Sequence, residues 1–193
     1  MKRFFFWLKV FVWTPPVVLM MAGGSYVYGA LRPPVKFVDR EVKVEVERAA
    51  RPLKELLNTI PPQYGISPLL MAAIVERESG GRANAIRFEP GQMSRAAKFT
   101  RNPDEQRMYA SSHGLAQVMG WWSPEFNLTW AQLYDPETNI TVASQILKRC
   151  MEKSKAKTKV EQIRGAASCF NGSTVYGDAI VNRLGELLIE RSL

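Results

Sequence analysis

The feature that most constrains the fold of this chain is an apolar run without a polar face, from Leu69 to Val75. A helix that is hydrophobic on every side is normally buried, so this run predicts a central helix of the core. Ser67 can cap the start of the helix, and Pro68 suits its first position. The pair Gly80-Gly81 can end the helix in a left-handed turn.

Glu78 falls in the last turn of this predicted helix. At about 100° per residue, its side chain shares a face with Met71 and Ile74, whereas Glu76 points nearly the opposite way. Burial and the negative end of the helix dipole both disfavour a carboxylate, so we predict a raised pKa for Glu78. A carboxylic acid that keeps its proton near neutral pH is suited to cleave a glycosidic bond.

The charge of the chain favours an acidic partner. Its 193 residues include 26 Lys and Arg against 18 Asp and Glu, a net charge of +8, which suits nucleic acid, anionic lipid or a carboxylate-rich cell wall. The lysines at 153, 155, 157 and 159 are interpreted as a solvated loop, and because no nucleic-acid motif accompanies them, no nucleic-acid partner is expected. The two cysteines and the single His113 lack metal-ligand spacing, so neither a metal nor another cofactor is expected.

The N-terminal residues 1–31 are interpreted as a membrane anchor or signal segment. Lys2 and Arg3 precede an uncharged apolar stretch from Val10 to Ala30, long enough for a span of roughly 20 residues. The basic flank predicts a cytoplasmic N-terminus with the rest of the chain translocated. Because no clear cleavage site follows the stretch, a retained transmembrane helix is preferred over a removable signal peptide.

Residues 32–60 are interpreted as a linker followed by a first amphipathic helix. Pro33-Pro34 stiffens the linker. Residues 39–60 fit a helical face that Pro61-Pro62 ends, but Val42, Val44 and Val46 also alternate with charged residues as in a short strand. The helix is preferred.

Residues 61–193 are predicted to form one all-α domain without further strands. Two short helices are expected in the polar section 82–112, and a small-residue turn at Gly114 is expected to open a short apolar helix. Capping and periodicity predict three long helices, Asp135-Pro136 to about Met151, Thr158 to Asn171-Gly172, and Tyr176 to Ile189. Trp121, Trp122 and Trp130 are interpreted as core, with stacking on sugar rings as the alternative.

Cys150 and Cys169 fall near the ends of two successive predicted helices. Outside the cytoplasm they could pair and close a loop of about 20 residues, which would stabilise the domain by roughly 3 kcal/mol. Two buried thiols are the alternative, and the sequence leaves both open.

Three short motifs follow one another in the chain: Glu78-Ser79, Gly114-Leu115-Ala116-Gln117 and Cys169-Phe170-Asn171. In this order and spacing they resemble the Glu-Ser, Gly-Leu-Met-Gln and Ala-Tyr-Asn motifs of the soluble-lytic-transglycosylase (SLT) family, goose-lysozyme-like enzymes that cut bacterial peptidoglycan. Asp135-Pro136 with Asn139-Ile140, and Arg87-Phe88-Glu89-Pro90, also match runs of that family, the latter in phage and mobile-element members. The resemblance covers about residues 66–181.

The resemblance implies a lysozyme-like fold in which Glu78 is the catalytic acid and base. Glu78 would protonate the oxygen between N-acetylmuramic acid and N-acetylglucosamine, and would then take the proton of the muramic acid C6 hydroxyl as a 1,6-anhydro ring closes. The substrate-side residues that it implies, or that the sequence offers beside them, are Ser79, Gln117, Phe170, Asn171, Glu89 and Tyr176.

Each of these residues has an expected role. Ser79 would bond near the acid or substrate, Gln117 would contact the sugar N-acetyl group, and Asn171 would hold the cleft floor. Glu89 is the best candidate for a second carboxylate, with a loop ion pair to a nearby arginine as the alternative.

Phe170 departs from the family, because the tyrosine of the third motif would hydrogen-bond the catalytic acid. Burial must then do more to tune the pKa of Glu78, or Tyr109 or Tyr176 must substitute.

The resemblance implies a lytic transglycosylase anchored in the inner membrane with its domain in the periplasm. A chain secreted after signal cleavage and a phage virion component are the alternatives for location. A hydrolytic muramidase of the same fold, and a weakly active wall-binding component of a secretion, conjugation or phage-entry machine, are the alternatives for function. Peptidoglycan strands, the membrane and such a machine are the expected partners.

Overall fold

The structure is a computed structural model. It describes residues 51–190 and 192, and the strands Lys2–Trp7 (β1) and Glu41–Val46 (β2) of the preceding part of the chain. The chain divides into two compact units, residues 1–50 and 51–193. In the first unit β1 and β2 pair antiparallel, with Lys2 opposite Val46 and Trp7 opposite Glu41.

The predicted membrane segment, Val10 to Ala30, lies outside the described residues. Among the helices that the structure describes, none combines the length and the apolar character needed to cross a bilayer.

The preferred helix over residues 39–60 is wrong for its first part. Residues Glu41–Val46 form β2, and the helix α1 covers only Leu53–Thr59. The alternation of valine with charged residues has the period of two that a strand requires, and this local pattern prevailed over the longer helical one.

The second unit is mainly helical, as predicted. Its further α-helices are Pro68–Ser79 (α2), Met93–Ala96 (α3), Pro103–Tyr109 (α4), Pro136–Lys153 (α5), Lys159–Asn171 (α6) and Thr174–Glu190 (α7). Short 3₁₀ turns cover Pro61–Tyr64, Pro90–Gln92, Gly120–Phe126 and Trp130–Tyr134.

The domain also contains a small antiparallel sheet, which corrects the expectation of no further strands, although the mainly helical class holds. Its strands are Ile86–Phe88 (β3), Ser111–His113 (β4) and Val118–Met119 (β5), in the order β3-β4-β5. The short helix predicted after Gly114 is instead a turn followed by β5. Strands of two or three residues are too short to show the alternation by which a sequence reveals a strand.

Helix α2 forms the centre of the core. Leu70, Met71, Ile74 and Val75 are each at most 2% exposed, which confirms the buried helix predicted from the apolar run. Helices α1 and α7 pack against α2, and α5 contributes to the same core a broad buried face that includes Ile140 and Leu147. The last turn of α2 is thereby held at the centre of the domain.

The predicted caps are confirmed except at Ser67, which stands at the N-cap of α2 but makes no capping hydrogen bond through its side chain. Gly80 ends α2 in the left-handed region with φ 61°, and Gly172 ends α6 with φ 85°. Asp135 accepts a hydrogen bond from the Thr138 amide at 2.9 Å, and Thr158 opens α6 with a capping box. These stops place Glu78 and Asn171 at the ends of their helices.

Helices α6 and α7 approach each other closely at Gly177. A Cβ atom at this position would lie 2.5 Å from the carbonyl oxygen of Arg164 and 2.2 Å from the Ser168 hydroxyl, so only glycine allows this contact. A disulfide between Cys150 and Cys169 joins α5 to α6, with the two Cα atoms 5.8 Å apart. The sequence had left this pairing open.

Candidate active site

Glu78 lies in the last turn of α2 and is half-buried, with core residues preceding it on the same helix. Glu76, two residues earlier, is exposed and accepts a hydrogen bond from Arg183 of α7 at 3.0 Å. The two carboxylates therefore point in different directions, as the helical period predicted.

Burial raises the pKa of Glu78 above its usual range and is the largest influence on it. The side chain of Tyr176 opposes this effect most strongly, followed by the charge of Arg87. The side chain of Asn171 and the charge of Arg77 lower the pKa further. The net shift is upward, so Glu78 holds its proton at a higher pH than an exposed glutamate does.

Tyr176 comes from the first turns of α7, which packs against α2. Its hydroxyl is close enough to lower the pKa of Glu78, and the neighbouring carboxylate together with burial raises the pKa of the phenol well above its usual range. Yet the hydroxyl is buried and completes no well-formed hydrogen bond among the described residues. Hydrogen bonds of catalytic groups are often long in ligand-free structures, so this geometry fits a donor that aligns when substrate arrives.

Tyr176 is thus the phenol that acts on the pKa of Glu78, whereas the third motif carries Phe170. The Phe170 ring is partly buried and packs against the core, and it has no hydroxyl that could donate to Glu78. Tyr109, the other candidate, packs its ring against Phe99 with centroids 5.4 Å apart. Asn171 is exposed at the end of α6, where its side chain acts on the Glu78 carboxyl.

Ser79 is buried, and its hydroxyl forms hydrogen bonds within the protein. Its hydroxyl donates to the Leu115 carbonyl at 2.7 Å and accepts from the Gly81 amide at 3.1 Å. Only 2% of the residue is exposed. The structure therefore places Ser79 as a link between the first and second motifs, which corrects the expected substrate contact.

Gln117 is likewise engaged within the domain. Its amide nitrogen donates to Gly114 and Ala85 carbonyls at 2.9 and 3.1 Å, and its oxygen accepts from the Ser112 hydroxyl at 2.8 Å. Its backbone has φ 48°, an uncommon value for a residue with a side chain. All polar atoms of the amide are used, so Gln117 shapes the turn between β4 and β5 instead of contacting a sugar.

Asn139 is a positioning residue that the sequence did not reveal. From the first turn of α5, its amide nitrogen donates to the His113 and Leu133 carbonyls at 2.8 and 2.7 Å, and its oxygen accepts from the Ala116 amide at 2.8 Å. A Cβ atom at Gly114 would lie 2.4 Å from that amide nitrogen. In the sequence, Asn139 stood out only as part of a motif match. A residue whose side chain bonds to the backbone of other segments leaves no periodic pattern in the sequence.

Glu89 pairs with Arg87, with the guanidinium nitrogen 2.6 Å from the carboxylate oxygen. This is the loop ion pair given as the alternative to a second catalytic carboxylate. Arg87 in turn lowers the pKa of Glu78, so the pair lies at the edge of the site. None of the groups that act most strongly on the pKa of Glu78 is another carboxylate.

The tryptophans are half-buried. They are therefore neither fully in the core, as expected, nor fully exposed for stacking on sugar rings, which was the alternative. Trp121 stacks on Trp122 with ring centroids 4.7 Å apart, and the Arg95 guanidinium lies 3.5 Å from the Trp121 ring centroid. Trp130 stacks on the buried His113 at 5.9 Å.

The site therefore consists of one half-buried carboxyl with a raised pKa, a phenol and an amide beside it, and arginines at its margin. The first motif supplies Glu78 and the third supplies Asn171, while Tyr176 follows the third motif on the next helix. The second motif is joined to the helix of Glu78 by the hydrogen bond from Ser79 to the Leu115 carbonyl. A carboxyl so placed can donate a proton and take one back.

Comparison with known proteins agrees with this arrangement. The model of the transglycosylase SLT domain matches residues 55–174. Proteins called "Type IV secretion system protein virB1" from Brucella abortus biovar 1, Brucella melitensis biotype 1 and Brucella suis biovar 1 are 31% identical over 121 residues, which is 58% of this chain and 51% of each relative. The chain thus spans about half the length of these curated relatives.

No solved structure matches the chain significantly. The family model covers more than half of the sequence, and its matched residues contain all three motifs but end at the start of α7, before Tyr176. The chain belongs to the transglycosylase SLT domain family.

Proposed function

We propose that this protein is a peptidoglycan lytic transglycosylase that cleaves the bond between N-acetylmuramic acid and N-acetylglucosamine. The observation that carries the proposal is the raised pKa of Glu78, a half-buried carboxyl at the end of the central helix of an SLT domain. A carboxyl with a raised pKa keeps its proton to a higher pH and can supply the acid that a glycosidic oxygen needs in order to leave.

In the first step, the Glu78 carboxyl gives its proton to the glycosidic oxygen as the bond from that oxygen to muramic C1 breaks. The Tyr176 hydroxyl and the Asn171 amide, whose side chains lower the pKa of Glu78, stabilise the carboxylate that results. This support matters because a bare carboxylate in a half-buried position is costly.

In the second step, the Glu78 carboxylate takes the proton of the muramic C6 hydroxyl while the C6 oxygen bonds to C1. The 1,6-anhydro ring closes, Glu78 regains its proton, and no water is consumed. One carboxyl acts in both steps. Since retaining and inverting hydrolases use two carboxylates, the absence of a second carboxylate among the main influences on Glu78 favours ring closure over hydrolysis.

We also propose a setting for the reaction. The name of the Brucella relatives suggests that the protein opens the wall locally for a type IV secretion machine. The disulfide between Cys150 and Cys169 supports a periplasmic domain, because such bonds persist outside the reducing cytoplasm. We place the domain there, held by the N-terminal apolar segment.

The test is digestion of purified peptidoglycan with mass analysis of the products, comparing wild type, Glu78→Gln and Glu76→Gln. Wild type is expected to release fragments with anhydro ends. Glu78→Gln should lower the rate by about a thousand-fold, because general acid and base catalysis is lost. Glu76→Gln, an exposed neighbour two residues away, is the matched control and should retain wild-type activity.

Other outcomes select the alternatives. Reducing ends without anhydro ends would identify a hydrolytic muramidase and overturn the ring-closing mechanism. Binding to the wall without cleavage by wild type would identify a wall-binding component of the machine. Equal loss in both variants would show that Glu78 has no special role.

A further inference from the structure

Strand β3 lies at one edge of the small sheet, and its pairing with β4 shows which backbone groups face outward. The Gly114 amide donates to the Ala85 carbonyl at 2.8 Å, and the Glu89 amide donates to the Ala110 carbonyl at 3.0 Å. In an antiparallel pair, the residues that bond to the partner strand alternate with residues that do not. Arg87, opposite Ser112, is therefore the strand residue that bonds to β4.

The amides and carbonyls of Ile86 and Phe88 consequently point away from β4, along what we call the outer edge of β3. Within residues 51–190, no backbone group pairs with them. Their side chains are 49% and 37% exposed, so neither is covered by the domain. An uncovered edge of this kind is a template for an added extended segment.

This edge lies beside the candidate active site. Arg87, between the two outward-facing residues, lowers the pKa of Glu78 by its charge. The Ala85 carbonyl, just before the strand, accepts from the Gln117 side chain. A segment added to β3 would thus lie near Arg87, whose charge acts on Glu78.

The edge carries a positive charge at Arg107, whereas the charge of Arg87 is paired with Glu89. The Arg107 guanidinium lies 4.9 Å from the ring centroid of Phe88, and no acidic side chain of the described residues forms an ion pair with it. A guanidinium without a partner at the surface attracts a carboxylate. The partner that fits has backbone amides in an extended form and at least one carboxylate.

We propose that the outer edge of β3 binds the peptide stem of the glycan strand being cleaved. The stem adds to the sheet through the amides and carbonyls of Ile86 and Phe88, and a stem carboxylate pairs with Arg107. This inference rests on the proposed function, since the stem is attached to the muramic acid that Glu78 acts on. It makes stem-bearing strands the preferred substrate over bare glycan.

The size of the edge favours the stem over a second copy of the chain. Two outward-facing residues provide at most four main-chain hydrogen bonds. The area that so short an edge can bury is far smaller than the interface of a stable dimer. A sugar chain alone lacks the regular amide and carbonyl spacing that a strand edge recognises. A short peptide joined covalently to the bound glycan needs only weak contacts, because it is already at high effective concentration.

The experiment compares Ile86→Pro with Ile86→Val on two substrates, stem-bearing strands and strands whose stems an amidase has removed. Proline removes the outward amide of Ile86 and is tolerated on edge strands, whereas valine keeps that amide. We expect Ile86→Pro to lower kcat/KM on stem-bearing strands about five-fold, the effect of one lost hydrogen bond. Its activity on bare strands, and that of Ile86→Val on both, should match wild type.

Arg107→Gln gives a second variant with an intact strand, and it should show the same selective loss. Binding of a free stem peptide to wild type, measured by calorimetry, should weaken in both Ile86→Pro and Arg107→Gln. Equal loss on both substrates, no loss on either, or unchanged peptide binding would overturn the inference. Failure of the proposed function would give a different result, because wild type would then form anhydro ends from neither substrate.

Discussion

Glu78 is subject to opposing influences at the scale of single residues. Burial favours the protonated carboxyl, whereas Tyr176, Arg87, Asn171 and Arg77 favour the carboxylate. A group that must first give and then regain a proton needs such a balance, because a strong bias to either form would slow one of the two steps.

Removing the Tyr176 hydroxyl shifts this balance in a known direction. Tyr176→Phe deletes a group that lowers the pKa of Glu78, so that pKa rises. In the proposed mechanism, activity requires protonated Glu78 and is lost as pH rises through its pKa, so the alkaline limb of the kcat/KM profile should move to higher pH. The measurement is the rate of anhydro-end formation across the pH range.

The control for this shift is Tyr109→Phe, whose ring stacks on Phe99. It should leave the alkaline limb in place. Tyr176→Phe should also keep its thermal stability, because the deleted hydroxyl is buried without a well-formed hydrogen bond. An unmoved limb, or one that moves to lower pH, would show that Tyr176 does not act on Glu78.

At the scale of elements, the first turn of α5 holds the turn between β4 and β5. Asn139 satisfies one amide and two carbonyls of other segments, and it is fully buried. The turn then carries Leu115, whose carbonyl accepts from Ser79 at the end of α2. The position of Glu78 thus depends on a helix distant in the chain.

Asn139→Ala should lower the free energy of unfolding by about 3–5 kcal/mol, because three buried backbone groups lose their partner. Urea unfolding followed by circular dichroism measures this change. Ser144→Ala is the matched control on the same helix, since its hydroxyl bonds only to the Ile140 carbonyl of its own helix. That control should cost about 1 kcal/mol or less. A similar cost for both variants would contradict the role of Asn139.

At the scale of the whole domain, the disulfide between Cys150 and Cys169, which lie 19 positions apart in the chain, joins α5 to α6. Helix α6 ends at Asn171, and α7, which follows, supplies Tyr176. The bond therefore restrains the part of the molecule that brings two groups to Glu78.

Replacing both cysteines by alanine should lower the free energy of unfolding by about 3 kcal/mol, because the unfolded chain regains the freedom of the closed loop. The melting temperature should fall by about 10 °C. Thermal unfolding of wild type with a reductant should reproduce this fall, and the reductant should leave the double variant unchanged. A wild-type protein insensitive to the reductant would contradict a stabilising bond.

The sequence allowed the main elements and the motif order to be predicted, because caps, glycine stops and helical periods are local signals. The buried α2, the raised pKa of Glu78 and the ends of α5 and α6 follow from such signals. The small sheet and the first strand pair were missed or misjudged, since strands of a few residues gain their stability from partners elsewhere in the chain.

The roles of individual side chains depended on the tertiary structure. Ser79 and Gln117 stood in motifs, but only their three-dimensional neighbours show that they bond to backbone instead of facing an open cleft. Tyr176 could be named as a candidate, yet only the packing of α7 on α2 brings it to Glu78. Sequence by itself determined which residue could act as the acid, because burial and a helix end are local consequences of an apolar run. The tertiary structure decided which groups surround that acid, because contacts between residues distant in the chain leave no periodic signal in the sequence.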